Sequence, residues 1–331
     1  MTATLEIECR RLGRSGVELP RIALGCGNFG GVGSAPEFFG AGLSEQEALE
    51  LMDAAWALGI THFDTADAYG GGRSEAAIGH WITSRGVRPQ LTTKTYNAMS
   101  AGADHGLAPA RVERQLRSSL ERLGVDQVEL YLAHEFDPKV PLAETLGAFE
   151  EHVATGTIRA YGVSNFDAAQ LELAGVAGAG VAGATAAGAG VEAIQNAHSL
   201  LERGDEERLL PLCARRGVAY LAFGPLSGGW LTGKYRRGEA FPAGSRMTQR
   251  PGPYERLVNP DTFAELERLE ALARERGMTM AGLSLAWLLA DERVAQIVVG
   301  PGRPEHLEPV REALGAPLSA AERDELGAAL G

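Results

Sequence analysis

Short apolar runs alternate with longer amphipathic segments from one end of the chain to the other. Several of the short runs are apolar on both faces, and most are followed by glycine or polar residues, which is typical of parallel strands covered by helices. Eight runs predict strands, namely Arg21–Gly25, Thr61–Thr65, Leu91–Thr95, Val128–His134, Arg159–Val163, Ala193–Asn196, Ala219–Phe223 and Ala295–Val299.

The segments between these strands have the spacing of amphipathic helices. Ser44–Leu58 opens with a serine that is followed three residues later by Glu47, which forms a capping box. Pro109–Leu123 carries an apolar stripe on one face, and Phe263–Ala273 repeats that pattern. Strands and helices in this order predict an α/β fold, a (β/α)8 TIM barrel with extra C-terminal helices and long βα loops. No break in composition divides the chain, so we expect residues 1–331 to form one domain.

Two segments interrupt this regularity. Residues 173–191 are mostly alanine and glycine, and because each glycine costs about 1 kcal/mol relative to alanine in a helix, we expect a frayed helix or a mobile loop that serves as a spacer. Residues 235–258 are rich in glycine, proline and arginine and are too long for a simple connection. Long loops after barrel strands shape the active-site mouth, so this segment and residues 29–43, with Phe38 and Phe39, are expected to form the substrate pocket.

The chain has 43 acidic and 31 basic residues, a formal net charge of −12. This balance argues against nucleic acid as a partner, because binding to a phosphate backbone depends on lysine and arginine. It does not exclude an anionic cofactor, which needs only a few local donors and can also use helix N-termini.

The three cysteines are few, odd in number and widely spaced, and histidines and cysteines do not cluster at the spacing of a metal site. They predict buried or incidental thiols in a reducing compartment. Residues 1–14 include acidic side chains and no apolar run, so we expect no signal peptide, and no segment is apolar enough to predict a membrane span. We therefore expect a cytoplasmic protein with neither a metal site nor a membrane partner.

Gly25–Gly30 matches the pattern G-x-G-x-x-G of dinucleotide-binding folds. In those folds a helix begins at once, so that its N-terminus meets the pyrophosphate. Here more glycines and Pro36 follow, and helix signals resume only at Ser44. We therefore do not interpret this loop as a dinucleotide fingerprint.

Reactive side chains follow three consecutive predicted strands. Asp64 lies at the end of the second strand, and Tyr69 follows five residues later in a glycine-rich loop. Lys94 lies near the end of the third strand, and His134 ends the fourth. In a parallel barrel the carboxyl ends of neighbouring strands meet at one face, where active sites lie. These four side chains are therefore expected to converge.

This combination suits the reduction of a carbonyl group, which needs a hydride from one side and a proton from the other. A tyrosine hydroxyl is a weak acid at neutral pH unless a cation stabilises its phenolate. Lys94 can be that cation, and Asp64 can keep it charged and oriented. His134 can donate to the carbonyl oxygen as negative charge develops there. Tyr69 is then the proton donor.

The motifs that contain these residues are FDTADAYGGGRSE, TTKT and YLAH. They resemble the catalytic motifs of the aldo-keto reductase superfamily, in particular of its longer bacterial members and of reductases similar to potassium channel beta subunits. The resemblance continues through GVSNF, QNAHSLLER, GPLSGGWLTGKY and VVGPGRPEHLE, from Arg11 to about Leu314. It implies an NAD(P)H-dependent oxidoreductase that reduces an aldehyde or ketone to an alcohol, with Tyr69 as proton donor and His134 orienting the carbonyl.

The resemblance also implies sites for the cofactor and the substrate. The cofactor residues would be Asn28, Asp64, Ser164, Asn165 and Gln195 near the nicotinamide; Phe223 as a stacking surface; Gly224, Pro225, Leu226, Ser227, Gly229 and Lys234 along the pyrophosphate; and Gly300, Gly302, Arg303 and His306 around the adenosine. The substrate residues would be Phe29, Tyr69, His134 and Glu135.

Two departures from the family pattern bear on specificity. Glu135 stands where many members have tryptophan, which implies a more polar substrate pocket. At the adenosine end, Pro309 and Val310 replace the usual glutamate and asparagine. Arg303 and His306 could still pair with a 2′-phosphate, so NADPH is the preferred cofactor and NADH is possible.

Two other classes of function are open to this chain. The first is a cofactor-binding regulatory protein with little turnover, as in channel beta subunits; some of these have asparagine where this chain keeps His134, which favours an enzyme. The second is a serine hydrolase, but the sequence around Ser164 lacks the second glycine of a G-x-S-x-G turn. The sequence leaves open the carbonyl substrate, the physiological direction and the oligomeric state.

Overall fold

The computed structural model describes residues 6–179 and 190–330 and has a closed barrel of eight parallel strands at its centre. The strands are β1 (Cys9–Arg11) and β2 (Glu18–Pro20) in an antiparallel hairpin, and β3 (Ile22–Gly25), β4 (His62–Asp64), β5 (Gln90–Thr95), β6 (Val128–Ala133), β7 (Ile158–Ser164), β8 (Ala193–Ala197), β9 (Ala219–Phe223) and β10 (Val294–Val299) in the barrel. Each barrel strand pairs with the next in the chain, and β10 closes the ring against β3.

Helices connect the barrel strands and cover them from outside. They are α1 (Glu45–Leu58), α2 (Arg73–Arg85), α3 (Pro109–Leu123), α4 (Leu142–Thr155), α5 (Ala168–Ala179), α6 (Leu209–Arg216), α7 (Arg246–Gln249), α8 (Pro260–Glu275), α9 (Met280–Leu289), α10 (Glu308–Gly315) and α11 (Ala320–Leu330). The predicted TIM barrel is therefore confirmed. In the part of the chain that the structure describes, no helix is both long enough and apolar enough to cross a membrane.

All eight predicted barrel strands are present, and their ends differ from the prediction by at most one residue. The hairpin of β1 and β2 was not predicted, because strands of three residues are too short to show a periodicity. Helix α5 enters the alanine- and glycine-rich segment 173–191 and extends to Ala179. Residues 180–189, on which the prediction of a frayed helix or mobile loop also falls, lie outside the described residues.

Helix α1 begins as the sequence predicts. The Ser44 hydroxyl accepts a hydrogen bond from the backbone N–H of Glu47 at 3.4 Å, and the Glu47 carboxylate accepts one from the backbone N–H of Ser44 at 2.8 Å. Between β3 and this helix the chain forms a loop with a single 3-10 turn, Pro36–Phe38. The G-x-G-x-x-G sequence is therefore not followed by a helix, as expected.

The two segments predicted to form the substrate pocket contact each other. The Arg250 guanidinium, in residues 235–258, donates to the backbone oxygen of Val32 at 3.0 Å. The same guanidinium lies over the Phe38 ring, 5.3 Å from its centroid. These contacts connect the loop after β9 to the loop after β3 at the carboxyl ends of the strands.

The hairpin closes the opposite end of the barrel with apolar side chains. Leu12 and Leu19 are 1% and 2% exposed and belong to the same buried cluster as Leu130, Leu132 and Leu221, which come from barrel strands. The aliphatic layer at this end contributes to stability through burial of apolar surface. The predicted catalytic side chains lie at the carboxyl ends of the strands, so this apolar layer and the candidate chemistry occupy opposite ends of the barrel.

We expect Leu12→Ala to lower the free energy of unfolding by about 2–5 kcal/mol, because it leaves a cavity in a packed layer. Urea denaturation measures this loss. The matched control is Leu173→Ala, since Leu173 is 50% exposed and an exposed position is expected to change stability by about 0.5 kcal/mol or less. Equal losses for the two variants would show that the hairpin does not seal the barrel.

Candidate active site

The carboxyl ends of β4, β5 and β6 bring the four predicted catalytic residues together. Asp64 is the last residue of β4, Lys94 is the next-to-last residue of β5, and His134 directly follows β6. The register pairs Asp64 with Thr92 and Lys94 with Leu132, so the three strands lie side by side and their carboxyl ends meet at one face of the barrel.

Lys94 is fully buried and has three polar contacts. Its ammonium donates to Oδ1 of Asp64 at 2.5 Å, to the backbone oxygen of Thr65 at 2.8 Å and to the hydroxyl of Tyr69 at 3.5 Å. The second carboxylate oxygen of Asp64 accepts from Nε2 of Gln195, across the barrel, at 2.7 Å. The ion pair therefore has its hydrogen-bonding groups satisfied, which a buried charge requires.

The pKa of Lys94 agrees with the expectation from the sequence, whereas the pKa of Tyr69 does not. Burial lowers the pKa of Lys94, but Asp64 and Tyr69 outweigh it and leave that pKa raised, so the ammonium stays charged. Burial raises the pKa of Tyr69 more than Lys94 lowers it, because Asp64 offsets part of the ammonium charge. The sequence predicts a phenol made more acidic by Lys94, whereas the structure gives a phenol that stays protonated at neutral pH.

A tight turn places Tyr69 over the ammonium. Tyr69 begins a 3-10 turn whose next residue, Gly70, has a φ of 59°. A Cβ at Gly70 would lie 2.6 Å from the backbone oxygen of Phe29, so only glycine fits both the conformation and the space. The turn leaves the ring with its face toward the Lys94 ammonium, 5.1 Å from the ring centroid.

His134 stands beside Tyr69, and its backbone is held on both sides. Its ring centroid lies 5.5 Å from that of Tyr69 at an interplanar angle of 75°. Its backbone N–H donates to Thr95, and its backbone oxygen accepts from Nδ2 of Asn165. Burial and the charge of Lys94 lower the pKa of His134 well below the usual value, so the imidazole is neutral. A neutral imidazole retains one N–H donor for a ligand.

Residues predicted to contact a nicotinamide surround the same end of the barrel. Asn165 follows β7 with a φ of 57°, a left-handed conformation that asparagine tolerates. Its amide nitrogen donates to the backbone oxygen of His134 and to Glu135, which leaves its oxygen to accept. Asn28 donates to the backbone of Pro301, while its own Oδ1 is buried without a described partner. Such an unpaired buried acceptor suits a ligand amide.

The loop after β9 presents unpaired cations. Among the described residues, the Lys234 ammonium and the Arg246 guanidinium form no hydrogen bond or ion pair, although Lys234 lies over the Tyr235 ring, 5.1 Å from its centroid. Gly229 has a φ of 94°, and a Cβ there would lie 2.3 Å from Nζ of Lys234, so glycine makes room for the ammonium. Arg246 was not among the residues predicted from sequence. The arginine-rich composition of residues 235–258 was the signal that could have indicated it.

The predicted adenosine residues continue this positive region beyond β10. Burial, Arg303 and Lys234 lower the pKa of His306, which shows that these three residues lie near one another. Nδ1 of His306 accepts from the backbone N–H of Gly302 at 3.3 Å, and Arg303 makes only a long ion pair with Glu305, at 3.7 Å. The remaining glycine of this region, Gly300, follows β10 directly.

The remaining predicted pyrophosphate residues form a strained turn between β9 and Lys234. Phe223 ends β9 and is partly exposed, as a stacking surface must be. The turn that follows contains Gly224, Pro225, Leu226 and Ser227. Ser227 has a positive φ of 46°, which is uncommon outside glycine. Its hydroxyl is held by that of Ser199 at 2.7 Å.

The prediction that Phe29 contacts the substrate is wrong for its side chain. Phe29 is fully buried within the main apolar cluster, so its ring has no surface to offer a ligand. Although Phe29 lies in the loop after β3, its ring packs into the apolar core instead of facing the mouth of the barrel. Glu135 is partly exposed beside His134, and burial without a compensating cation raises its pKa. A polar pocket wall at Glu135 is therefore compatible with the structure.

One group of side chains has the spacing of a metal site, but a cation of the protein already occupies it. Donor atoms of His198, Glu206 and Asp291 lie within 4.8 Å of one another. Nη2 of Arg323 donates to both Glu206 and Asp291 at 2.6 Å. We therefore interpret this group as a structural ion-pair network.

A closed parallel barrel whose strand ends hold a tyrosine, a lysine, an aspartate and a histidine beside a cationic loop defines an oxidoreductase that reduces carbonyl groups. Comparison with known proteins agrees with this class. The model of the Aldo/keto reductase family matches residues 21–330. The chain belongs to the aldo/keto reductase family.

Relatives and solved structures cover nearly the whole chain. "Uncharacterized oxidoreductase YrpG" of Bacillus subtilis is 33% identical over 91% of this chain and 89% of its own length. A "Probable voltage-gated potassium channel subunit beta" of Oryza sativa is 29% identical over 89% of this chain and 87% of its own. The crystal structure of the thermostable aldo-keto reductase Tm1743 in complex with the inhibitor epalrestat has a TM-score of 0.74 at 30% identity, covering 98% of this chain and all of that one.

We expect Asp64→Asn to lower the free energy of unfolding by about 3–5 kcal/mol, because it leaves the buried Lys94 ammonium without its counter-charge. Since the pKa of Lys94 is raised above its ordinary value of 10.5, the stabilisation is complete below about pH 10.5 and is lost as the pH rises through the folded pKa. Urea denaturation as a function of pH measures this dependence, which the variant should lack.

The matched control for this variant is Glu267→Gln. Glu267 pairs with Arg237 at 3.1 Å on the surface, where its side chain is 61% exposed. Such a pair contributes about 1 kcal/mol or less. If Asp64→Asn cost no more than this control, the buried pair would not be the stabilising feature described above.

Proposed function

We propose that this chain is an NADPH-preferring aldo-keto reductase, of the NADP-dependent alcohol dehydrogenase type, in which Tyr69 donates the proton that completes the reduction of an aldehyde or ketone. The observation that carries the proposal is the buried Lys94 ammonium in contact with both the Asp64 carboxylate and the Tyr69 hydroxyl. A protonated phenol against a buried cation is suited to protonating an alkoxide, because the cation stabilises the phenolate that remains.

The residues of the chain act on the carbonyl oxygen. A bound reduced nicotinamide supplies the hydride to the carbonyl carbon. His134 is neutral and donates a hydrogen bond to the oxygen as negative charge develops there. Tyr69 transfers its hydroxyl proton to the same oxygen, and Lys94 stabilises the resulting phenolate. Asp64 keeps Lys94 charged throughout.

The cofactor assignment is supported by groups that lack partners. Lys234 and Arg246, which have no acidic partner among the described residues, suit the pyrophosphate, and the buried Oδ1 of Asn28 suits the nicotinamide amide. Arg303 and His306 at the exposed adenosine end suit the 2′-phosphate that distinguishes NADPH from NADH. The electrostatic influence of Arg246 on Lys234, and of Lys234 and Arg303 on His306, indicates that these four residues lie near one another.

The proposal also covers the organisation and setting of the chain. Strands from Ile22 to Val299 all contribute to one ring, which supports one functional domain over residues 1–331. The three cysteines are free, which supports a reducing compartment, and we propose the cytoplasm.

We expect Tyr69→Phe to lower kcat by about 10²- to 10⁴-fold, because the variant keeps the ring but loses the proton. The measurement is NADPH oxidation with a panel of aldehydes, ketones and sugars. Cofactor affinity, followed by fluorescence quenching, should stay within about twofold, since the hydroxyl contacts Lys94 rather than a phosphate-binding residue.

The control for this variant is Tyr161→Phe. Tyr161 donates to Glu150 in a contact separate from the Lys94 network, so its loss should leave kcat unchanged. Undiminished turnover by Tyr69→Phe would refute the acid assignment. Quenching by NADPH without oxidation in the presence of any carbonyl compound, in the wild type, would instead support a cofactor-binding regulatory protein.

Two further variants distinguish contacts to the 2′-phosphate from contacts to the pyrophosphate. We expect Arg303→Gln to weaken NADPH binding about tenfold and to leave NADH binding within about twofold, because only NADPH carries the 2′-phosphate. We expect Arg246→Gln to weaken both cofactors alike, because both carry the pyrophosphate. Dissociation constants from fluorescence titration test this. Equal effects of Arg303→Gln on the two cofactors would remove the basis for an NADPH preference.

A further inference from the structure

His134 has a polar neighbour that no sequence motif indicates. Nδ2 of Asn97 lies 3.4 Å from Nδ1 of the His134 ring. Asn97 follows β5 by two residues and so belongs to the segment that carries Lys94. Among the described residues, this is the hydrogen bond that the His134 ring makes, and it leaves Nε2 available to a ligand.

With the Asn97 amide nitrogen facing Nδ1 of His134, as in this structure, the chemistry of the two groups assigns the proton to one ring nitrogen. An amide nitrogen can only donate, so Nδ1 of His134 must accept from Asn97. A neutral imidazole has one acceptor nitrogen and one N–H, so the proton is then on Nε2. The reverse tautomer would direct an N–H at the amide N–H and a lone pair at the substrate oxygen.

Asn97 is itself held by a buried arginine. Arg111, which is 3% exposed, donates to the backbone oxygen of Asn97 at 2.7 Å. It also donates to Oγ1 of Thr95 at 2.8 Å and to the backbone oxygen of Gly106 at 3.0 Å. The guanidinium thus spans the loop between β5 and α3 and places the Asn97 amide beside the imidazole.

The other groups around His134 do not determine its tautomer. Lys94 and Tyr69 face the ring from β5 and from the turn after β4, and Lys94 disfavours the imidazolium. Asn165, from the loop after β7, contacts only the backbone oxygen of His134. Glu135 is the nearest carboxylate in sequence, and its described hydrogen bond is with Asn165 rather than with the ring.

We propose that Asn97 is a positioning residue that holds His134 in the Nε2–H tautomer, so that the ring always presents a donor to the carbonyl oxygen. The inference rests on the proposed function for the identity of that oxygen. The tautomer itself is a property of the protein alone and is measurable without a substrate.

The test is the isosteric change Asn97→Asp, with Asn97→Leu as a second variant. A carboxylate accepts where the amide donates, so Asn97→Asp should move the proton of neutral His134 to Nδ1. Leucine neither donates nor accepts and should leave a mixture of tautomers. Nitrogen-15 NMR of histidine-labelled holoenzyme distinguishes the tautomers by the chemical shifts of Nδ1 and Nε2. The wild type should show Nε2–H at neutral pH.

Kinetics give an independent readout. We expect Asn97→Asp to lower kcat at alkaline pH by about 10- to 100-fold, with little change in the KM for NADPH, because a donor to the developing oxyanion is lost. The carboxylate also raises the pKa of His134, and an imidazolium donates from both nitrogens. The variant should therefore recover activity as the pH falls, whereas the wild type, neutral throughout, should show no such recovery. Asn97→Leu should lose several-fold in kcat without a new pH dependence.

The matched control is Ser100→Asp, which adds a carboxylate to the same loop at an exposed position. It should leave the tautomer, kcat and pH profile unchanged. An Nε2–H signal and an unaltered pH profile in Asn97→Asp would overturn the proposal, even if Tyr69→Phe is inactive. If Tyr69→Phe stays active while the tautomer moves as expected, the proposed function fails and the positioning role stands.

Discussion

The ion pair of Lys94 and Asp64 is the constraint on which the rest of the site depends. An ammonium and a carboxylate inside a barrel lose their hydration, and only complete hydrogen bonding compensates for that loss. Thr65 and Tyr69 complete the contacts of Lys94, and Gln195 completes those of Asp64 from the far side of the barrel. Tyr69, the proposed proton donor, is thus also a structural partner of the pair, because its hydroxyl completes the contacts of a buried charge.

The electrostatics of the site are local and differ from the charge of the whole chain. The protein has a formal net charge of −12, yet the loop after β9 and the end of β10 present Lys234, Arg246 and Arg303 with few or no acidic partners. On the opposite side of the mouth, Glu135 is the partly buried acidic group. The proposed anionic cofactor would therefore bind on one side of the barrel, and the substrate would face the more acidic side.

The sequence was sufficient to predict the elements that have a repeating pattern and the side chains that lie at strand ends. The eight strands were predictable because parallel strands covered by helices are apolar on both faces, and convergence of Asp64, Lys94 and His134 followed from the barrel topology. Features that depend on packing could not be predicted from the sequence. Phe29 is buried although it lies in the first active-site loop, and Arg246 lies in a segment without periodicity. The raised pKa of Tyr69 depends on burial, which no local pattern expresses.

The neutrality of the two donors has a consequence for catalysis. Tyr69 stays protonated and His134 stays uncharged, and Lys94 pairs with Asp64, so these four side chains together carry no net charge. In the proposed mechanism, the charge that develops on the carbonyl oxygen would then be stabilised by one N–H and one O–H dipole rather than by a free cation. Dipoles fixed before the reaction need no reorganisation as charge develops. Such dipoles function only if each points its hydrogen at the oxygen, which makes the orientation of the imidazole as important as its presence.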